Sequence, residues 1–117
     1  MRLLAWFTRN WADTDEPGDS ALAPIVLPLP LAQAFPHVQE ALRSLPHWHL
    51  EASDAQAATI HATRQTRLWR FVDDIHIRLE TVPDGTKVHA RSQSRVGRGD
   101  FGQNRRNLLE LLNFLAP

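Results

Sequence analysis

Hydrophobic and polar positions along the chain change period several times, and each change marks an element. In residues 1–14, Leu3, Leu4, Phe7 and Trp11 recur at helical spacing, which predicts a short N-terminal helix that docks on the domain or packs in a homodimer. Residues 15–30 hold four prolines, Pro17, Pro24, Pro28 and Pro30, and predict an extended arm pressed onto the core by Ile25, Val26, Leu27 and Leu29. From Leu31 to Leu45 the spacing of Val38, Ala41, Leu42 and Leu45 predicts a helix, with Pro36 in its first turn and Pro46 ending it. At Trp48 the period becomes two. Trp48, Leu50 and Ala52 alternate with His47, His49 and Glu51 in a first strand, followed by a turn at Ser53 to Ala57. Ile60 and Ala62 open a second strand reaching about Thr66, and Ile75, Ile77 and Leu79 carry a third. After the tight-turn signal Pro83-Asp84-Gly85, Val88, Ala90, Ser92 and Ser94 form the inward phase of a fourth. Leu108, Leu111, Leu112 and Leu115 then give the last helix a face that must cover the sheet.

The expected fold is therefore α+β: a four-stranded antiparallel β-meander covered on one face by an N-terminal and a C-terminal helix, with a Pro-rich N-terminal arm. Residues 1–30 would be the short helix and arm, and residues 31–117 the single α+β domain on which they pack. A chain of 117 residues has too little surface to bury a second core.

Composition narrows the chemistry. There is no cysteine, so disulfides, thiolate metal sites and Cys nucleophiles are excluded. The apolar run Leu3 to Phe7 is too short for a signal-peptide core or a membrane span, which makes a cytoplasmic location the expectation. Net charge is zero but unevenly placed: residues 1–60 sum to −4 and residues 61–117 to +4. That asymmetry would steer an anionic partner to the C-terminal half, unless folding brings the halves together and cancels it.

The segment Arg91 to Arg106 departs most from ordinary fold-building. Ser92 and Ser94 fall on the inward phase of their strand, where their hydroxyls need partners. Gly97, Gly99 and Gly102 allow positive φ or close backbone approach, and the following helix start is a general anion site. Asp100, with Gln103 three residues on, has the spacing of a capping box. One reading is an anion pocket built from Arg91, Ser92, Ser94, Arg95, Gly97, Arg98, Gly102, Asn104 and Arg106, with Arg105 nearby. The other is an internal ion-pair network, in which Asp100 caps its own helix while Asp73 and Asp74 neutralise Arg91 and Arg95.

The run Leu68-Trp69-Arg70-Phe71-Val72-Asp73-Asp74-Ile75, then Arg91-Ser92-Gln93-Ser94-Arg95-Val96-Gly97, then Asp100, Gly102, Asn104 and Arg106 resembles the family catalogued as a domain of unknown function, number 1499. The family pattern is an Asp-Asp strand start, Arg-Ser-x-Ser-Arg-x-Gly, and Asp-x-Gly-x-Asn-x-x-Arg. The likeness spans most of residues 20–115 and is specific over 68–106. Many relatives carry an Asn-Cys-Val-Ser-Ser block, where this chain has Ser20-Ala21-Leu22-Ala23. The resemblance implies the fold and the importance of the segment, and brings no activity.

Other constellations carry less. His49, His61, His76 and His89 fall on the polar phase of successive strands, but no short His spacing supports a metal site, so no metal and no cofactor are expected. Adjacent Asp73 and Asp74 would point to opposite sheet faces if extended, and could not act as a carboxylate pair. The outward phase of the strands interleaves no aromatics with Arg78, Lys87, His89 and Arg91, which argues against nucleic acid. Membrane association through residues 1–14 would be weak, since only Arg2 and Arg9 are basic there. The sequence thus points to a binding or accessory module for an anionic small molecule or acidic protein segment. A purely structural or oligomeric protein is the alternative, and an enzyme is the third reading.

Overall fold

The computed structural model describes residues 9–16, 18–66, 71–95 and 102–117. Among the described residues six strands and two helices follow one another: β1 (Trp11–Asp13), β2 (Ile25–Leu27), α1 (Leu31–Ser44), β3 (Trp48–Asp54), β4 (Thr59–Gln65), β5 (Val72–Val82), β6 (Gly85–Ser94) and α2 (Gln103–Leu115). Strands β3 to β6 form the expected antiparallel meander, and both helices lie on one face of it. The sheet, however, has six strands and not four.

The two additional strands come from the segments expected to be helix and arm. β1 pairs with β6 through Trp11↔Gln93 and Asp13↔Arg91, and β2 pairs with the same edge through Ile25↔Val88 and Leu27↔Thr86. Between them the chain leaves the edge at Thr14, whose N–H donates to the Ala90 carbonyl at 2.9 Å, and returns at Ile25. The N-terminal helix is therefore corrected at residues 11–13, while residues 1–8 lie outside the described ones. The extended Pro-rich arm is corrected too, because Ile25–Leu27 is a ladder strand. The physical reason is that β6 presents unpaired N–H and C=O groups along its whole outer edge, and a sheet edge covered by its own chain is protected from foreign pairing.

Other departures are local. α1 starts at Leu31, so Pro36 sits beyond the first turn and removes one helical hydrogen bond on an exposed side. A bulge between Leu50 and Ala52 reverses the phase of β3, so Ala52 stands opposite His61 on the outer face rather than inward. The expected turn at Ser53 moves to 55–58, because β3 continues to Asp54. α2 begins after Gly102, a left-handed N-cap at φ +82° with no side-chain cap, so Gln103 is the first helical residue and not the third of a capping box. Asp100 lies outside the described residues.

The core sits between the helices and the inner sheet face. Val38 and Leu42 of α1, Leu108 and Leu111 of α2, and Ile75, Ile77 and Val88 of the sheet are almost fully buried. Leu22 and Leu27 bury the N-terminal segment against the same core. A polar clamp adds to this packing at the far end. The Glu110 Oε1 of α2 accepts from the Trp48 indole at 2.6 Å and from Arg64 Nε at 2.9 Å, which joins β3 and β4 to the helix. Burial pushes Glu110 up, but Arg64 and Trp48 outweigh it and hold the carboxyl below its ordinary range.

Candidate functional site

Ser92 and Ser94 find their partners on α2. Asn104 and Asn107, three residues apart on the face that also carries Leu108 and Leu111, bring two carboxamides over the inner face of β5 and β6. Ser92 Oγ donates to Asn104 Oδ1 at 2.6 Å, and Asn104 Nδ2 donates to Ser94 Oγ at 2.8 Å and to the Asn10 carbonyl at 2.9 Å. Asn107 Nδ2 donates to Asp73 Oδ2 at 2.8 Å and to Ser92 Oγ at 3.2 Å, while its Oδ1 accepts from Gln103 Nε2 at 2.7 Å. Ser92, Asp73, Asn104 and Asn107 are at most 2% exposed. The cluster thus ties β5, β6, α2 and the N-terminal segment together in a region where unsatisfied groups would be costly.

Around this cluster the arginines meet carboxylates. Arg95 engages Asp74 with two nitrogens, Nε at 2.9 Å and Nη2 at 3.0 Å. Arg105 holds Asp19 through Nε at 2.8 Å, and this bond leads the causes that keep the Asp19 carboxyl below the ordinary aspartate range. Arg91 reaches Asp13 at 3.5 Å and stacks on the Trp11 ring at 4.6 Å, with Arg9 over the same ring at 4.3 Å. Arg106 donates to Gln103 Oε1 at 3.1 Å. The expected neutralisation therefore holds for Arg95 with Asp74. It is corrected for Arg91, whose acid is Asp13, because Asp73 points to the helix side and meets Asn107. Gly97 and Arg98 lie outside the described residues; of the rest, Ser92, Ser94 and Asn104 meet on the helix side of the sheet, whereas Arg91 and Arg95 pair with carboxylates on its opposite face and Arg106 meets Gln103. Sequence reasoning missed Asn107, Asp13 and Asp19. Asn107 had a signal, since it directly precedes Leu108 and lies one turn from Asn104.

Asp73 and Asp74 do point to opposite faces. The Arg95 hydrogen bonds hold the Asp74 carboxyl down at about 2, with a further bond from His61 Nε2 at 2.8 Å and burial opposing. A depressed carboxyl contributes stability above its unfolded value of 3.8 and loses it as pH falls towards about 2. Because Arg95 is 55% exposed, solvent screening keeps this contribution small. Arg95→Gln is accordingly expected to lower the urea midpoint slightly at neutral pH and to leave it almost unchanged near pH ~2.

With this geometry in hand, a family model described as "Protein of unknown function (DUF1499)" matches residues 8–115. The chain belongs to the DUF1499 family. No curated protein and no solved structure matches it. The DUF1499 match takes in every strand and both helices, so the buried cluster and the paired arginines all lie inside the family domain.

The outer face of this DUF1499 sheet is polar and largely charge-paired. His61 and His76 stand directly opposite each other, with ring centroids 4.8 Å apart and planes 9° from parallel. His49 faces Thr63 and His89 faces Arg78, so the four histidines do not form one row. Among the described residues no three His, Cys, Asp or Glu side chains come together as metal ligands. Trp11 provides on this face an aromatic that the strand alternation had not revealed. No helix of the described residues is long and apolar enough to cross a membrane.

Proposed function

We propose that this DUF1499 chain is a non-enzymatic accessory or interaction module in which the segment Arg91–Arg106 is a staple of the fold. One observation carries the reading: the described side chains of the motif are engaged inside the molecule. Arg95 is bidentate on Asp74, Arg105 holds Asp19, and Ser92, Ser94 and Asn104 are joined in one buried network. A carboxylate held ionised by a guanidinium, as Asp74 is, makes a poor general base, which weighs against proton-transfer chemistry there.

A second reading, recognition of an anionic ligand by Arg91, Arg95, Arg98 and Arg106 with the Gly97 and Gly102 backbone, has its own support. The first turn of α2 contains no acidic residue, its N-cap is a glycine, and Arg105 and Arg106 follow at once. Titration with inorganic phosphate, followed by amide and arginine Nε–Hε NMR signals, separates the two. A staple predicts small, non-saturating shifts and a melting temperature independent of phosphate. Saturable shifts at Gly102 and Arg106, with stabilisation that grows with phosphate, would replace the staple by the anion site.

A further inference from the structure

The bond network of His89 is unlike that of any other described histidine. His89 lies on the outer face of β6, yet it is only 8% exposed, with Asp15 of the N-terminal segment and Glu80 of β5 against its two ring nitrogens. Its Nδ1 meets both oxygens of Asp15, at 2.9 and 3.1 Å, and its Nε2 meets Glu80 Oε1 at 2.8 Å. One carboxylate comes from the N-terminal segment and the other from β5. A neutral imidazole has one N–H and one lone pair, so it can donate to only one of them. Only the doubly protonated ring satisfies both.

We propose that His89 is a proton-operated clasp that fastens the N-terminal segment to the β5–β6 hairpin. With a proton on each nitrogen the ring bridges Asp15 and Glu80. When one proton leaves, Asp15 and Glu80 compete for the one remaining N–H, and the hold on the segment after Thr14 weakens.

The charged groups around the ring are of both signs. From the N-terminal segment comes Asp15, and from β5 come Glu80 and Arg78, the latter 3.8 Å from Asp15 Oδ2. On β6, Lys87 stands opposite Glu80, and Arg91 is taken up by Asp13 of β1. The His89 bond leads the causes that hold the Glu80 carboxyl below the ordinary glutamate range, so Glu80 keeps its charge, and its side of the clasp, into mild acid. Hence the clasp is tight while the ring carries both protons and loose once it carries one.

The test is amide hydrogen exchange of the intact chain at pH ~5.5 and ~8.5, expressed as protection factors at Thr14, Glu16 and Leu22. Protection is expected to fall about tenfold at the higher pH, the loss of one charge-assisted hydrogen bond. His89→Gln, which always has one donor and one acceptor, should show the low protection at both pH values. Glu80→Gln should show high protection at both, since its amide donates to the neutral ring. Equal wild-type protection at the two pH values, or a pH dependence that survives in His89→Gln, overturns the clasp. Should His89→Gln fail to fold, the side-chain ¹⁵N signals of the wild type still decide. Two protonated ring nitrogens at pH ~5.5 support the clasp, and a neutral tautomer at that pH refutes it.

Discussion

Asn104→Leu is expected to lower the stability of the folded chain by about 3–5 kcal/mol, well above the effect of an ordinary core substitution. The leucine has a similar volume, so packing alone would change little. What is lost is the acceptor for Ser92 Oγ, the donor to Ser94 Oγ and the donor to the Asn10 carbonyl. Ser92 keeps only the bond from Asn107. Leaving a buried polar group unsatisfied costs roughly 1–3 kcal/mol, and a first relaxation of the site would recover part of the sum. Urea unfolding with an unchanged m-value measures it, and adding Ser94→Ala to Asn104→Leu should give back a fraction by removing one stranded hydroxyl. A loss below about 1 kcal/mol would mean that water enters the cluster and that it is no staple.

Gly85→Ala is the second large effect. Gly85 opens β6 at φ +143°, and a Cβ placed there would meet the Leu27 carbonyl oxygen at 2.0 Å and the Leu29 nitrogen at 3.2 Å. Both are backbone atoms, so no rotamer relieves the clash. β2 must move off β6, which sacrifices its ladder with Thr86, Lys87 and Val88 as well as the Thr86 hydroxyl bond to the Leu29 carbonyl. The expected loss is about 3 kcal/mol or more. It should be accompanied by faster amide exchange on both sides of the β2–β6 ladder, while the β4–β5 pairing stays protected. Uniform destabilisation with the β2 ladder intact would refute this account.

What the sequence made legible follows the range of the forces involved. The alternation of Val88, Ala90 and Ser92 and the leucine face of α2 are local signals, and the structure buries those residues as expected. The need of Ser92 for a partner was equally legible, since it follows from strand phase alone. Its partners were less so. Asn104 and Asn107 stand on a face read only as leucine, and Asp13 and Asp19 come from a segment more than seventy residues away. β1 was misread for the same reason. Three residues have no period of their own, and Trp11 continues a helical spacing that the open edge of β6 and the flanking Arg9 and Arg91 override. The bulge after Leu50 and the left-handed start of α2 at Gly102 leave no periodic trace at all.

The split strand along β6 also sets an order of events during synthesis. Residues 11–27 leave the ribosome long before the strand that receives them, since Trp11 waits for Gln93 and Ile25 for Val88. A pairing of such long sequence separation is entropically late. The meander β3–β6 is made of hairpin neighbours and can close first, so for an interval its β6 edge stands open and the nascent N-terminal segment competes for it with any other extended chain nearby.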